Sequence, residues 1–268
     1  MCLIVLSLNE HPDYPLIVAA NRDEFYERKS ASAAFWDDHP EILGGRDLVA
    51  NGTWLAMHRN GRVAMVTNYR DLSRYRPDAP SRGGLVTDFL LSEKHPLAYL
   101  EDVAQRAHLY NGFNLIVGNP RELYYYSNYG NGITAVPPGL HGISNALLNT
   151  PWPKVRRATQ NVETLIRNRV GDPDSYLDVL YDDMTAPDHE LPDTGVGLER
   201  ERQLSSIFIK SPGYGSRSST VILVDRENQV KFVERVYNPT DFSYSGKAFA
   251  FRVGMNDSAY HKSGQKTG

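Results

Sequence analysis

The sequence predicts an α+β domain built in stacked layers, with mostly antiparallel sheets packed together and helices outside. Three observations predict it. Short apolar, β-branched runs are joined by tight turns, a connection open to antiparallel neighbours. Helical patterns arrive in pairs between groups of strands, the order that suits helices covering sheets from outside. No internal repeat and no linker divides the 268 residues, so a single domain is expected.

The elements follow in order. Cys2–Leu8 and Leu16–Asn21 read as a strand hairpin around the turn-forming stretch from Asn9 to Pro15. Ser30–Asp38 reads as irregular, and Gly44-Gly45-Arg46-Asp47 and Ala50-Asn51-Gly52 as turns. Thr53–His58 and Arg62–Thr67 are strands around Asn60-Gly61, the strongest short hairpin signal. Leu85–Ser92 and Pro96–Leu109 read as helices, the second with Leu97, Leu100, Val103, Ala104 and Ala107 on one face. Phe113–Gly118, Leu123–Ser127, Ile133–Val136 and Leu140–Ser144 are strands. Thr150-Pro151 opens a helix to about Arg169, with Val155, Ala158, Val162, Leu165 and Ile166 inward. Ser175–Met184 is a further helix, and 186–197 a surface excursion. Gln203–Ile209, Ser218–Asp225 and Gln229–Val236 are the last strands, and the small polar tail 262–268 is expected to be disordered.

Composition narrows the function classes. Net charge is −3 with both signs interleaved, so no basic footprint for nucleic acid is present. The single cysteine leaves no intramolecular disulfide and fits a reducing, cytoplasmic setting. No basic leader precedes the first apolar run, and no apolar stretch approaches the length of a membrane span, so neither a signal peptide nor a span is expected.

The lone cysteine is at position 2. Removal of Met1 would put a free α-amine and a thiol on one residue, a nucleophile with its own base. The two groups titrate at about 8 and about 8.5 in the unperturbed state. The plainer alternative is a small buried hydrophobe at a chain end. Asp23 ends the second strand and is suited to hold that amine; as a plain surface charge it would do nothing further. Asn68 and Asn145 end strands and can supply neutral donors to an oxyanion, although asparagine there is also a common turn former. Arg217 follows the Gly213–Ser216 loop, and a guanidinium beside a thiol favours the thiolate. Each of these lies at a strand end, where one rim can gather them.

Several separate stretches resemble the NRDE family (transport and Golgi organisation protein 2-like). They are Met1-Cys2-Leu3-Ile4, Asn21-Arg22-Asp23-Glu24, Gly52–Ala56, Val66-Thr67-Asn68-Tyr69-Arg70, Ser81-Arg82-Gly83, Tyr110–Leu115, Gly142-Ile143-Ser144-Asn145-Ala146, Thr150-Pro151-Trp152-Pro153-Lys154 and Ser216–Thr220. The resemblance covers residues 1 to 237 as a single domain and leaves 238–268 as a C-terminal extension, partly disordered. It implies the four-layer αββα sandwich of N-terminal-nucleophile hydrolases, which cleave unactivated amides through an acyl-cysteine. By motif, Cys2 takes the nucleophile position, Asp23 that of the second-strand aspartate, Asn68 and Asn145 those of the oxyanion-side asparagines, and Arg217 that of the arginine near the thiol. Those hydrolases carry a further arginine whose register falls on Ala20 here. Arg22 stands just before Asp23 instead and, on a strand, faces the opposite side.

The resemblance also implies a competing role, which the family's biology favours over hydrolysis: transient carriage of haem or an acyl-coenzyme A or related lipid. Tyr69 and Arg70 would then join Arg22 in binding the ligand, and His141 with Cys2 could reach iron. The expected partner is a small molecule: haem, acyl-CoA or an amide. No cofactor is required on either reading, haem entering only as cargo.

Overall fold

The computed structural model describes residues 2–254. They form two seven-stranded sheets in which each pairing is antiparallel. The first contains β1 (Cys2–Leu8), β2 (Leu16–Phe25), β10 (Gly139–Ile143), β11 (Lys210–Ser211), β12 (Tyr214–Val224), β13 (Gln229–Tyr237) and β14 (Tyr244–Arg252), in the order β10-β1-β2-β12-β13-β14 with β11 on β12. The second runs in chain order through β3 (Ser30–Phe35), β4 (Ile42–Asp47), β5 (Leu55–His58), β6 (Val63–Asn68), β7 (Phe113–Asn119), β8 (Glu122–Ser127) and β9 (Thr134–Ala135).

Alternation along each strand divides the core into layers. Ile4, Leu6, Leu8, Leu16, Val18 and Ala20 point inward and meet Leu43, Leu55, Met57, Val63, Met65 and Ile116 from the other sheet. Leu3, Val5, Ile17 and Ala19 point outward beneath α3 (Pro153–Arg167) and α4 (Pro173–Val179). Ala56, Ala64, Val66, Leu115 and Val117 lie beneath α1 (Gly83–Leu91) and α2 (Pro96–Arg106). The order is therefore helix, sheet, sheet, helix, as the resemblance implied. A short α5 (Leu198–Gln203) flanks one end.

The expected strand hairpins are present, including the Asn60-Gly61 turn, where Gly61 takes φ +96° and the Asn60 side chain accepts from the Arg62 amide. Several readings change. Helix α3 starts at Pro153 with Trp152 as its N-cap rather than at Thr150-Pro151, and α4 is Pro173–Val179 rather than Ser175–Met184. Ser30–Phe35 and Ile42–Asp47 are strands where irregular chain and a turn were expected. Helix α5 and irregular chain replace the strand expected over 203–209. Residues 244–252, within the expected C-terminal extension, pair along the whole of β13 and complete its sheet. The expected disordered tail, 262–268, lies outside the described residues.

Candidate active site at the end of the first strand

The β1–β2 register builds the centre of the site. Cys2 is paired with Arg22 and Leu3 with Asn21, so Asp23 lies one register step beyond, at the end of β1 where the Cys2 nitrogen is. Alternation then sorts the side chains. Cys2 and Arg22 share the inter-sheet face, whereas Asp23 shares the helix-covered face with Ala19 and Asn21. Arg22 does face away from Asp23, and the side it faces is the thiol's own.

Cys2 is 9% exposed. Burial raises its thiol pKa; the Asp23 charge adds to this and the Arg22 charge opposes it. Arg22 is itself buried, with its guanidinium 4.2 Å from the Trp54 ring centroid and Nη1 donating to Ser30 Oγ at 3.2 Å. A second guanidinium, that of half-buried Arg82, feels the charges of Glu24 and Cys2 while its Nη1 donates to the Gly112 carbonyl at 3.0 Å. Two arginines thus bias the thiol towards its anion against the cost of burial.

Asp23 is fully buried. Its Oδ1 accepts from Ser216 Oγ at 2.7 Å, and its Oδ2 lies 3.9 Å from the ammonium of Lys154 in the first turn of α3. Burial pushes the carboxyl pKa up, with the Lys154 charge foremost among the named side chains that oppose it. The Tyr214 hydroxyl is buried nearby, feels Asp23, Glu24 and Cys2, and makes no hydrogen bond among the described residues.

The two asparagines are brought together in a different way from the one expected. Asn145 Nδ2 donates to the Asn68 carbonyl at 2.9 Å, and the Asn145 carbonyl accepts from the Arg70 amide at 2.8 Å. Next door, Ser144 Oγ donates to the Cys2 carbonyl at 3.0 Å. One Asn145 N–H therefore ties the ends of β6 and β10 beside Cys2, and the second is the one left for an oxyanion. Above it opens a cleft of about 780 Å³ whose walls include Tyr69, Arg70, Tyr129, Asn145 and Trp152. Tyr69 stacks on Tyr129 at 4.1 Å. Arg70 pairs with buried Glu201 at 2.8 Å and lies 5.0 Å from the Trp152 ring centroid. Cys2, whose carbonyl Ser144 holds, is buried and is not among the described residues lining this cleft.

Two expected residues stand apart. Arg217 occupies a bulge where the β2–β12 register slips between Ser216 and Ser218, and its Nη1 donates to the carbonyls of Phe25, Tyr26 and Arg28. It anchors the β2–β3 loop, with no contact to Cys2 among the described residues. His141 is opposite Leu6, four residues along β1 from Cys2. Its ring nitrogens are engaged by the Pro137 carbonyl at 2.9 Å and by Asn149 Nδ2 at 3.0 Å, so it is held in the strand rather than offered to a ligand. Lys154, Arg82 and Tyr214 were not singled out as site residues. Lys154 and Arg82 lie inside family-like stretches, which was the available signal.

A family model described as Transport and Golgi organisation 2 matches residues 1–239. A Transport and Golgi organization protein 2 homolog of Bos taurus is 39% identical over 256 residues, spanning 88% of this chain and 92% of that one. The Homo sapiens homolog is 38% identical over 265 residues, spanning 91% and 96%. Among solved structures, a conjugated bile acid hydrolase from Clostridium perfringens superposes with a TM-score of 0.50 at 6% identity, covering 96% of this chain and 100% of that one. That likeness concerns the fold, an N-terminal-nucleophile hydrolase sandwich. With its order of motifs, its αββα layers and these relatives taken together, the chain belongs to the Transport and Golgi organisation 2 (NRDE) family.

Proposed function

We propose that the protein is an N-terminal-cysteine acyl-transfer enzyme, an amidohydrolase or acyltransferase acting on a small amide or thioester. The β1–β2 register supports this reading: Arg22 is the partner of Cys2, and the buried Asp23 follows one register step beyond. With Met1 removed, the α-amine takes the thiol proton and Sγ attacks the carbonyl carbon. The C–N or C–S bond breaks, the amine returns its proton to the leaving group, and an acyl-Cys2 thioester remains for water or a second acceptor. Asp23 orients the amine, and Arg22 and Arg82 favour the thiolate. The second Asn145 N–H and the buried Tyr214 hydroxyl are the donors proposed for the oxyanion, with Asn68 held beside them by Asn145. A single free thiol suits a reducing compartment such as the cytoplasm.

The test is intact mass. Met1-free protein incubated with a panel of acyl amides and thioesters is expected to gain one acyl group on Cys2, and Cys2→Ser to gain none. Wild-type protein that stays unmodified across the panel would sink the reading.

A second reading, carriage of haem or an acyl-CoA, draws on the aromatic walls of the cleft, Tyr69 on Tyr129 and Trp152 beside Arg70. A haem titration should then saturate, and Tyr129→Ala should weaken it. Binding that is unsaturable and indifferent to that change removes the second reading.

A further inference from the structure

Lys154 stands in the first turn of α3 with 1% of its surface exposed. Elementary electrostatics disfavours an ammonium there twice. The N-terminus of a helix carries partial positive charge, and burial strips a cation of its hydration. The Nζ makes no hydrogen bond among the described residues, although buried polar groups are rarely left so. The charged and titratable groups facing it are Asp23 from β2, Arg70 after β6, Cys2 from β1 and Glu201 from α5. Glu201 is already committed to Arg70 at 2.8 Å. The remaining acid is Asp23, with Oδ2 at 3.9 Å. Glu24 and Tyr214 face Asp23 in turn, and Ser216 donates to its other oxygen. A methionine would fill the same space without either electrostatic penalty, so packing gives no reason for this residue.

Resting on the acyl-transfer reading, we propose that Lys154 is a positioning residue that keeps Asp23 a carboxylate in a dry site, so that Asp23 can hold an N–H of the Cys2 amine and turn its lone pair towards Sγ. Lys154 touches none of the reacting atoms and acts through Asp23. The energetics agree in direction: burial lowers the Lys154 pKa to about 8 and raises that of Asp23, and each partner opposes the shift of the other.

The experiment uses Met1-free wild type, K154M, K154R, D23N and K154M/D23N. Cys2 acetylation by p-nitrophenyl acetate is followed by intact mass, iodoacetamide alkylation of Cys2 is followed across pH, and thermal unfolding checks the fold. The expected result has four parts. K154M slows acetylation on the order of tenfold or more. Its alkylation profile moves along the pH axis. K154R, which keeps the charge, recovers much of the rate. K154M added to D23N brings no further loss, because the two act as one unit. The proposal is overturned if K154M keeps the wild-type rate and profile, if K154R loses as much as K154M, or if the losses in the double variant add. Should K154M fail to fold, K154Q takes its place in each comparison. Failure of the two ideas is distinguishable. A wild type that resists acetylation while its alkylation profile still shifts in K154M sinks acyl transfer and keeps the Lys154–Asp23 link. Normal acetylation of K154M does the reverse.

Discussion

Asn21 and Asp23 lie two residues apart on one face of β2, both buried, and the fold treats them differently. The Asn21 amide donates to the Leu180 and Ile207 carbonyls at 2.9 Å each, and its Oδ1 accepts from Ser219 Oγ at 2.6 Å. That network ties β2 to the chain after α4 and the chain before β11, and its neutral groups are satisfied. Asp23 carries a charge into the same layer and meets an ammonium at 3.9 Å that forms no hydrogen bond among the described residues. The first arrangement is architecture, in which polar groups are buried because they are paired well. The second costs stability where a neutral pair would not.

Breaking the first arrangement should have the largest effect. Asn21→Ala strips partners from two buried carbonyls and a hydroxyl, each worth about 1–3 kcal/mol when left unmade, so a loss on the order of 3–5 kcal/mol is expected in urea unfolding. A loss near 1 kcal/mol would erase the contrast with Asp23.

Glu234 supplies a third buried acid, this time on the inter-sheet side with Phe232 and Val230, its Oε2 accepting the Ala33 amide at 2.6 Å. Burial raises its pKa from 4.5 to about 7. In that window the native state keeps a proton that the unfolded chain releases. The associated stability is therefore full below the unfolded pKa and lost as pH rises through the folded one, an effect of about 3 kcal/mol. Unfolding measured from acid to neutral pH should show this decline, and Glu234→Gln should flatten it.

The Asp23–Lys154 pair should respond in the opposite sense to Asn21. Replacing both partners together, D23N with K154M, is expected to leave stability unchanged or raise it by about 1–2 kcal/mol at neutral pH while Cys2 chemistry is lost. A double variant that melts well below the wild type would make the pair structural. The smallest effect is expected at Arg217. Arg217→Ala releases the carbonyls of Phe25, Tyr26 and Arg28 and should cost about 1 kcal/mol. If the residue served the thiol, as its sequence position suggested, the alkylation profile of Cys2 would move as well.

What the sequence made legible is what short-range patterning encodes. The hairpin of β1 and β2, the Asn60-Gly61 turn and the amphipathic face of α3 could be read because alternation, turn chemistry and helical spacing are local. β3 and β4 were missed because Ser30–Ala34 and Gly44-Gly45 carry no apolar alternation. Their reason is tertiary: a Cβ at Gly44 would fall 2.6 Å from the Ala56 Cβ, and one at Gly45 would fall 2.4 Å from the Trp54 ring. The run Ile207-Phe208-Ile209 looked like a strand, yet its backbone is committed elsewhere, Ile207 to Asn21 and Phe208 to Asp182. In the candidate site, the nearness of Asp23 to Cys2 could be read from the β1–β2 hairpin. Lys154 could not, since a lysine beside prolines at a helix start looks solvated until the packing of α3 on the sheet is known. Arg217 and His141 misled for a related reason: which way a side chain leaves a bulge or an edge strand is decided by its neighbours.

The pairing of β2 with β12 also orders events in time. A ribosome delivers Cys2 and Asp23 first, whereas Ser216, which donates to Asp23, follows 193 residues later. Until β12 is made, Asp23 lacks that hydroxyl; once it pairs, Cys2 and Asp23 are both buried. We expect the Cys2 thiol to be covered only after this late strand has paired: a chain ending before Tyr214 should leave Cys2 open to iodoacetamide, and a protected thiol in that chain would refute the idea.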